Sequence, residues 1–274
     1  MSVIGALITR SLLNFFHDRS RLIFSLLMPF FFLFIFSFVM QGAAVGIEQP
    51  LNYLIAGIII MTVFMSGLNN SIDILEDISS GFMKEILVSP ISRWQISLGQ
   101  VFSSTIISMI QGMIVVVVGM IMGFTTDVPH FLMMMGAMAV TGLTFSALGL
   151  FLATLARQSA SFQVLISAVT MPLTFLSGAY IPTTVMPAFL TPVVYINPLT
   201  YITAMFRFIS MQMENLPTDQ LVKAGVAFDW GGVIVTPLIG LFLTVGIGTV
   251  FLVLCVMKFN KADFSTVKIY RHHE

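Results

Sequence analysis

Six charged side chains stand close together in one polar segment, between two long apolar runs of the sequence. They are Asp73, Glu76, Asp77, Lys84, Glu85 and Arg93. Charged groups of both signs suit ion pairing with another surface. A chain with few charges that concentrates them in one connection is expected to present that connection to a partner in water. The nature of this partner decides what the protein does.

Two stripes of uncharged polar residues are the next candidates for chemistry. One runs through Gln163, Ser167, Thr170 and Thr174 at spacings of 4, 3 and 4, and the other through Gln100, Ser104, Ser108 and Gln111 at spacings of 4, 4 and 3. These spacings put each stripe on one face of a helix. Either stripe could line a pathway for polar groups of a substrate, or could pack helices closely and bond to its own backbone. Both interpretations stay open, and the first stripe is the candidate substrate pathway because it leads into a proline-rich segment.

The motifs of common catalytic and metal-binding sites are absent from the sequence. It contains no G-x-x-x-x-G-K-[ST] phosphate-binding loop and no H-E-x-x-H motif, and its four histidines are scattered at the edges of predicted elements or in the tail. No carboxylate, lysine or histidine is centred in a predicted membrane span, where ion-coupled carriers commonly place such groups. We therefore expect no enzyme activity and no bound metal. Any uphill transport must draw its energy from another polypeptide.

The elements that position these residues are predicted to be membrane-spanning helices. Charged residues make up 9% of the chain and hydrophobic residues 57%, whereas ordinary globular domains have ~25% charged residues. A bilayer core needs ~20 apolar residues in a helix. We predict spans at 22–41, 51–69, 96–122, 131–155, 162–178 and 233–257. The fold class is therefore all-α, with residues 1–274 forming a single transmembrane domain of six transmembrane helices.

The distribution of lysine and arginine predicts the orientation of these spans. With the N-terminus in the cytoplasm, ten of the twelve basic residues fall inside, and only Arg207 and Lys223 fall outside. Both termini are thus predicted to be cytoplasmic, in a multi-pass protein of the cell membrane. The single Cys255 excludes an intramolecular disulfide.

Two further elements are predicted on the inner side. Residues 1–21 are expected to form an amphipathic interfacial helix, because apolar residues recur there at helical spacing: Ile4, Ile8, Leu12 and Phe15. A flexible basic tail is the alternative. The cytoplasmic segment 73–94 is expected to contain a short helix that does not extend the second span, since the capping sequence Ser92–Gln95 starts a new helix after it.

The stretch 179–206 is expected to form a re-entrant helical hairpin on the outer side. Prolines at 182, 187, 192 and 198 preclude one straight helix, yet the stretch remains apolar. Broken backbone at membrane depth must be shielded by protein or water. An ordinary external loop is the alternative, and residues 208–231 are expected to form a solvated external loop.

Two motifs resemble those of type 2 ABC-transporter permeases. The family's cytoplasmic connection, with its Leu-Leu-Val-(Ser/Ala)-Pro-like turn, resembles Lys84-Glu-Ile-Leu-Val-Ser-Pro-Ile-Ser-Arg-Trp-Gln-Ile-Ser-Leu-Gly-Gln100. The family's outer element and its Asn-Pro-Leu-Thr-Tyr signature are similar to Leu176-Ser-Gly-Ala-Tyr-Ile-Pro182 followed by Ile196-Asn-Pro-Leu-Thr-Tyr-Ile-Thr-Ala-Met-Phe-Arg207. Both motifs occur in the family's order, and with the six-span plan the resemblance covers essentially the whole chain.

The resemblance implies a permease subunit of a multi-chain ABC exporter for an amphipathic or hydrophobic cargo, such as a drug, an antibiotic or a lipid-like molecule. It would pair two-fold with a second copy or a sister permease. Separate ATP-binding subunits would carry the ATP and Mg²⁺, so this chain itself would bind no cofactor. The ATPase would be contacted by Glu76, Asp77, Lys84, Glu85 and Arg93, and residues 1–20 would be the connecting helix. The outer gate would comprise Pro182, Pro187, Asn197 and Pro198.

Two other functions stay open on the sequence. Export of lipid-linked glycans is one, although the fifth span offers only Phe162 and Phe175 where a glycan passage would favour several aromatic rings. A membrane anchor or sensor that recruits a cytosolic protein through the same polar segment is the other, and it would involve neither nucleotide hydrolysis nor cargo. The expected surroundings are the lipid bilayer and the partner subunits, with no nucleic acid.

Overall fold

The computed structural model describes residues 3–42, 50–83, 86, 91–156, 158–180 and 182–261. Its helices are α1 (Val3–His17), α2 (Arg19–Gly42), α3 (Pro50–Asn69), α4 (Ile72–Ser79), α5 (Arg93–Ile121), α6 (Val128–Leu155), α7 (Ser159–Leu176), α8 (Thr191–Ile196), α9 (Pro198–Ser210), α10 (Thr218–Lys223) and α11 (Pro237–Lys261). Three 3₁₀ turns lie at Thr183–Val185, Ala188–Leu190 and Met213–Asn215. Strands β1 (Phe228–Trp230) and β2 (Val233–Val235) form an antiparallel pair.

Five stretches within the described residues are long and apolar enough to cross a membrane. They are Asn52–Ser79, Arg93–Ile121, Val128–Leu155, Ser159–Leu176 and Pro237–Lys258. The bent pair Ala188–Ile196 and Pro198–Ser210, with an angle of 86°, is either a broken sixth span or a re-entrant loop. The predicted second to sixth spans overlap these five stretches, although the first stretch continues to Ser79, beyond the predicted end at 69, and the last begins at Pro237 rather than at 233. Helix α2 covers the predicted first span, 22–41, but is not among them.

Helix α3 lies at the centre of the helix bundle. It packs against α5 and α6, and also contacts α2 and α9, while α11 packs against α6 and α9. Ile59, Phe64 and Leu68 of α3 are completely buried, and the rings of Phe64 and Phe145 meet with their centroids 4.6 Å apart. A Cβ atom on Gly112 of α5 would lie 2.5 Å from Val63. The missing side chain is therefore what lets α3 and α5 approach so closely.

The N-terminal helix is shorter than predicted and packs along α5. Helix α1 ends at His17 and α2 begins at Arg19, so the predicted element 1–21 is divided at Asp18. Phe15, on the predicted apolar face, is 1% exposed, and Leu7 lies against Gly99 of α5. The apolar face of α1 is thus buried at Phe15 and half-buried at Ile4, Ile8 and Leu12, and a position at a membrane surface stays a prediction.

The polar segment contains the separate helix α4, and α5 begins where the capping sequence places it. The Ser92 N–H donates to Gln95 Oε1 over 3.1 Å, and α5 starts at Arg93. On its other side, α4 follows α3 after only Asn70 and Ser71, and both belong to the apolar stretch Asn52–Ser79. The segment is therefore more continuous with the second span than the sequence indicated.

The sequence did not predict the β1–β2 hairpin: β1 lies in the predicted external loop 208–231, and β2 takes the first residues of the predicted sixth span, 233–257, whose helix begins only at Pro237. Its turn consists of Gly231 and Gly232, with φ of 62° and 102°. Glycine adopts positive φ without steric cost, and a Gly-Gly pair between two short strands is a recognised hairpin signal. The pair packs Phe228 and Val235 against Tyr201 of α9 in a small separate core.

Candidate functional site

Helix α4 is bound to α1 through one arginine and one aspartate. Arg10 Nη1 donates to Asp77 Oδ2 over 2.8 Å, and Nη2 donates to Oδ1 of the same carboxylate. The guanidinium also lies over the ring of Phe82, 4.1 Å from its centroid. The hydrogen bond with Asp77 raises the pKa of Arg10 more than partial burial lowers it. The arginine therefore stays charged, and the bidentate geometry fixes the direction in which α1 meets α4.

A second arginine binds α4 to the start of α2. Arg21 Nη1 donates to Asp73 Oδ1 over 2.6 Å, and Nη2 donates to Asn70 Oδ1 over 2.9 Å. Both arginine–aspartate pairs are partly exposed, so each contributes ~1 kcal/mol or less to stability. Their main effect is geometric, because a displacement of α4 must move α1 and α2 or break the pairs.

Glu76 is the carboxylate of α4 that lacks an ion-pair partner among the described residues. It is exposed and lies at the edge of a polar cleft of about 290 Å³, which Arg10, Arg21 and His17 also line. Of the two predicted α4 contacts, the structure thus leaves Glu76 free and directs Asp77 to Arg10. Glu76 is therefore the most exposed of the three carboxylates of α4.

The remaining predicted contacts are placed differently. Arg93 is half-buried in the first turn of α5 and is not among the residues that line the cleft. Lys84 and Glu85 lie outside the described residues. Within the described part of the chain, no group of three or more His, Cys, Asp or Glu side chains could hold a metal ion.

The candidate pathway stripe on α7 is divided into an exposed and a buried half. Gln163 and Ser167 are exposed, whereas Thr170 and Thr174 are 7% and 8% exposed. The start of α9 covers the second half, where Thr200 Oγ1 donates to the carbonyl of Leu176 over 3.1 Å. The hydroxyls of Thr170 and Thr174 have no hydrogen-bond partner among the described residues. This half of the stripe therefore has unused hydrogen-bonding capacity.

The second stripe, on α5, is buried inside the chain. Ser104, Ser108 and Gln111 are at most 2% exposed. Ser108 Oγ donates to the carbonyl of Thr105 over 2.8 Å, and Gln111 Nε2 donates to Ser25 Oγ on α2 over 2.5 Å. These contacts support the interpretation of the α5 stripe as helix packing.

The candidate outer-gate residues lie at successive breaks of the backbone. Pro182 and Pro187 each precede a 3₁₀ turn, and Asn197 and Pro198 form the elbow between α8 and α9. The Asn197 side chain accepts from the Leu199 N–H over 2.9 Å, and its Nδ2 donates to the carbonyl of Leu173 over 2.8 Å. One asparagine thus caps α9 and binds the elbow to α7.

Arg207 is the most deeply buried charged residue among those described, and the sequence had assigned it to the outer side. It is 2% exposed and projects from α9 towards the turn after α7. Nη2 donates to the carbonyl of Ala179 over 2.8 Å, and the guanidinium lies over the ring of Tyr53, 3.4 Å from its centroid. Its Nε has no partner among the described residues. The count of positive charges could not distinguish a buried arginine from a solvated one.

Comparisons with known proteins identify relatives over most of this architecture. The sequence matches the ABC-2 type transporter family over residues 2–211, which include α4 and the bent pair. The putative transport permease ycf38 of Pyropia yezoensis is 27% identical over 93% of this chain and 88% of its own length. The daunorubicin resistance ABC transporter permease protein DrrB1 of Streptomyces coeruleorubidus is 26% identical over 70% of this chain and 69% of its own. The probable multidrug ABC transporter permease YbhR of Escherichia coli (strain K12) is 25% identical over 53% and 40%.

Proposed function

The chain belongs to the ABC-2 type transporter family, and from that premise we propose that it is the membrane half of an ATP-driven exporter. The family makes it a multi-pass, non-catalytic permease subunit. In the proposal it pairs two-fold with a second copy or a sister permease, and each half docks a separate ATP-binding subunit. ATP and Mg²⁺ are bound by those partners.

Helix α4 is the proposed contact with the ATPase, and the exposed Glu76 is the observation that carries the assignment. The two other carboxylates of α4 are already paired, Asp77 with Arg10 and Asp73 with Arg21. Glu76 is therefore available to a basic group of the partner. The same two pairs connect α4 to α1 and α2, so a force on α4 reaches three elements together.

The energy of ATP acts by favouring one of two packings of the permease pair. A ligand shifts such an equilibrium only if it binds the two states with different affinity. The ATPases supply this difference when nucleotide brings them together and moves the two α4 helices. Helix α4 follows the buried α3 after two residues, so its displacement tilts the centre of the bundle. The proposed pathway follows the Gln163–Thr174 face of α7 towards the outer gate at Pro182–Pro198.

The proposed cargo is amphipathic or hydrophobic, of the drug or lipid-like kind. Two relatives are named as multidrug or daunorubicin resistance permeases. In addition, no carboxylate or lysine lies at the centre of a predicted span, where it would suit a small ion. The exposed residues of α7 are largely apolar and include Val164, Met171 and Phe175. Such a surface favours an apolar molecule over a sugar chain.

Purification from the native host tests the proposal directly. The tagged chain, extracted in a mild detergent, should bring a soluble subunit that hydrolyses ATP. Glu76→Lys should insert normally but retain less of that subunit, whereas Asp219→Lys, an exposed charge reversal on α10, should retain it fully. A partner without ATPase activity would instead support an anchor or sensor. Equal retention by both variants would remove Glu76 from the contact.

A further inference from the structure

A furrow of about 320 Å³ runs between α2 and α3, along one face of each helix. The two helices are antiparallel beside it. At one end Arg21 of α2 bonds to Asn70, just after α3, over 2.9 Å. At the other end the rings of Phe32 and Tyr180 meet with their centroids 5.5 Å apart. Gln111 of α5 contributes to the wall between these ends.

The lining changes from polar to apolar along the furrow. Arg21, Ser66 and Asn69 line the first end, whereas Phe32 and Ile58 line the other. This gradient matches an amphiphile, whose head hydrogen-bonds at one end while its tail contacts hydrocarbon side chains. The volume is in the range of pockets that bind small molecules, ~300–1,000 Å³.

The length of the furrow matches one leaflet of a bilayer. From Arg21 to Phe32 the helix α2 advances about 16 Å at 1.5 Å per residue. The hydrocarbon core of a bilayer is ~30 Å thick, so one leaflet is about half of that. The polar end lies beside Arg10 and Arg19, and basic residues favour the cytoplasmic side. The furrow therefore extends from the cytoplasmic interface to about the middle of the membrane.

The furrow opens sideways and reaches into the chain. Phe24 and Met28, which line its mouth on α2, are 69% and 61% exposed. Met61, on the α3 wall, is 3% exposed. A molecule in the bilayer can pass the first two side chains laterally, and only from within the furrow can it touch Met61.

The polar end favours a head group without net charge. Arg21 has five N–H donors, of which two bond to Asp73 and Asn70. Asp73 balances its charge, while the other N–H groups remain able to bond to a phosphate oxygen. A zwitterionic head meets both conditions, whereas a strongly anionic head would also meet the carboxylates of Glu76 and Asp77 nearby.

We propose that this furrow binds one acyl chain of a zwitterionic phospholipid from the cytoplasmic leaflet, with its phosphate near Arg21. The lipid fills a space inside one subunit, between the predicted first and second spans. One subunit alone lines the site, so binding there does not depend on the proposed export. The bound chain also supports α2 against α3 where their side chains do not meet.

Photolabelling of the full chain in vesicles tests this proposal. The vesicles consist of phosphatidylcholine, with a fraction that carries a diazirine near the end of one acyl chain, and labelled residues are mapped by mass spectrometry. Met61 should be labelled. Met28→Trp should fill the mouth and lower that labelling about tenfold, which corresponds to ~1.4 kcal/mol of binding. Leu27→Trp should not, because Leu27 is exposed on the same helix and does not line the furrow.

Labelling of α11 serves as the internal standard, since Phe242 and Val250 are exposed there and should be labelled equally in every variant. If only such outward-facing residues are labelled, the proposal is overturned. It is also overturned if Met61 is labelled equally in the Met28→Trp variant and in the unchanged protein. Displacement by an equimolar cationic dye such as rhodamine 6G would show a cargo site and overturn the lipid assignment. No ATPase or nucleotide is present, so the result is independent of whether the chain exports anything.

Discussion

The guanidinium of Arg207 lies over the ring of Tyr53, 3.4 Å from its centroid, and this contact binds α9 to the buried helix α3. The same guanidinium donates to the carbonyl of Ala179 in the turn that follows α7. A buried charge is costly unless it is compensated. Here the compensation comes from an aromatic face and a backbone carbonyl rather than from a carboxylate. One side chain therefore fixes α3, α9 and the beginning of the proposed outer gate.

Removing the aromatic ring should destabilise the subunit more than removing its hydroxyl. Tyr53→Leu leaves Arg207 without its aromatic face and should lower the free energy of unfolding by ~2 kcal/mol, the value of a desolvated cation–π contact. Tyr53→Phe keeps the ring and loses only a long hydrogen bond of 3.4 Å to Gly178, so it should be close to neutral. Thermal unfolding in one detergent compares the two variants. Equal losses would assign the stabilisation to the hydroxyl.

A methyl group on Gly57 should displace the turn that Arg207 binds. A Cβ atom there would lie 2.5 Å from the carbonyl oxygen of Ala179, which is backbone and cannot rotate away. Gly57→Ala should therefore cost ~1–3 kcal/mol, as overpacking does. The matched control is Gly136→Ala in α6, where nothing lies within 4 Å and alanine favours the helix. If Gly57→Ala unfolds no earlier than Gly136→Ala, the close approach is not a constraint.

Exchanging the charges of Arg10 and Asp77 should restore what each single reversal removes. Asp77→Arg alone places two cations together, and Arg10→Asp alone places two carboxylates together. Each single reversal should lower the stability of the subunit by only ~1 kcal/mol or less. The loss of nucleotide-dependent transport should be larger than this small loss of stability can explain, because the pair fixes the direction of α4. The double variant should recover transport in part, since the stacking of Arg10 on Phe82 is not restored.

Transport by reconstituted subunits, with unfolding followed in parallel, measures this coupling as a double-mutant cycle. Asp219→Arg serves as the control for an added positive charge. A double variant no better than its worse parent would show that the ion pair does not transmit the movement of α4.

Local signals predicted the helices well, whereas contacts between distant residues could not be predicted from one sequence. The start of α5 follows from Ser92 and Gln95, which are three residues apart. The contact of Arg207 with Tyr53 joins residues 154 positions apart, and neither residue type marks such a partner. Asp77 and Arg10 are also far apart, by 67 positions, so from the sequence Asp77 and Glu76 looked equally available to a partner. The Gly231–Gly232 turn was a local signal, and its overlooked hairpin signature explains the missed strands.

Removing the buried hydroxyls of Thr170 and Thr174 should show whether the polar stripe of α7 only packs helices or lines a transport pathway. Neither has a hydrogen-bond partner among the described residues, and an unpaired buried polar group costs ~1–3 kcal/mol. Thr170→Val keeps the shape of the side chain and removes that group, so it should raise the stability of the isolated subunit. It should also reduce transport, because in the proposed pathway the hydroxyl bonds to cargo or to a second copy. Thr141→Val, which removes a hydroxyl bonded to Ala137 over 2.7 Å, should gain no stability and leave transport intact. Full transport by both Thr170→Val and Thr174→Val would exclude the two hydroxyls from the pathway. Their half of the stripe would then serve only to pack α7 against α9.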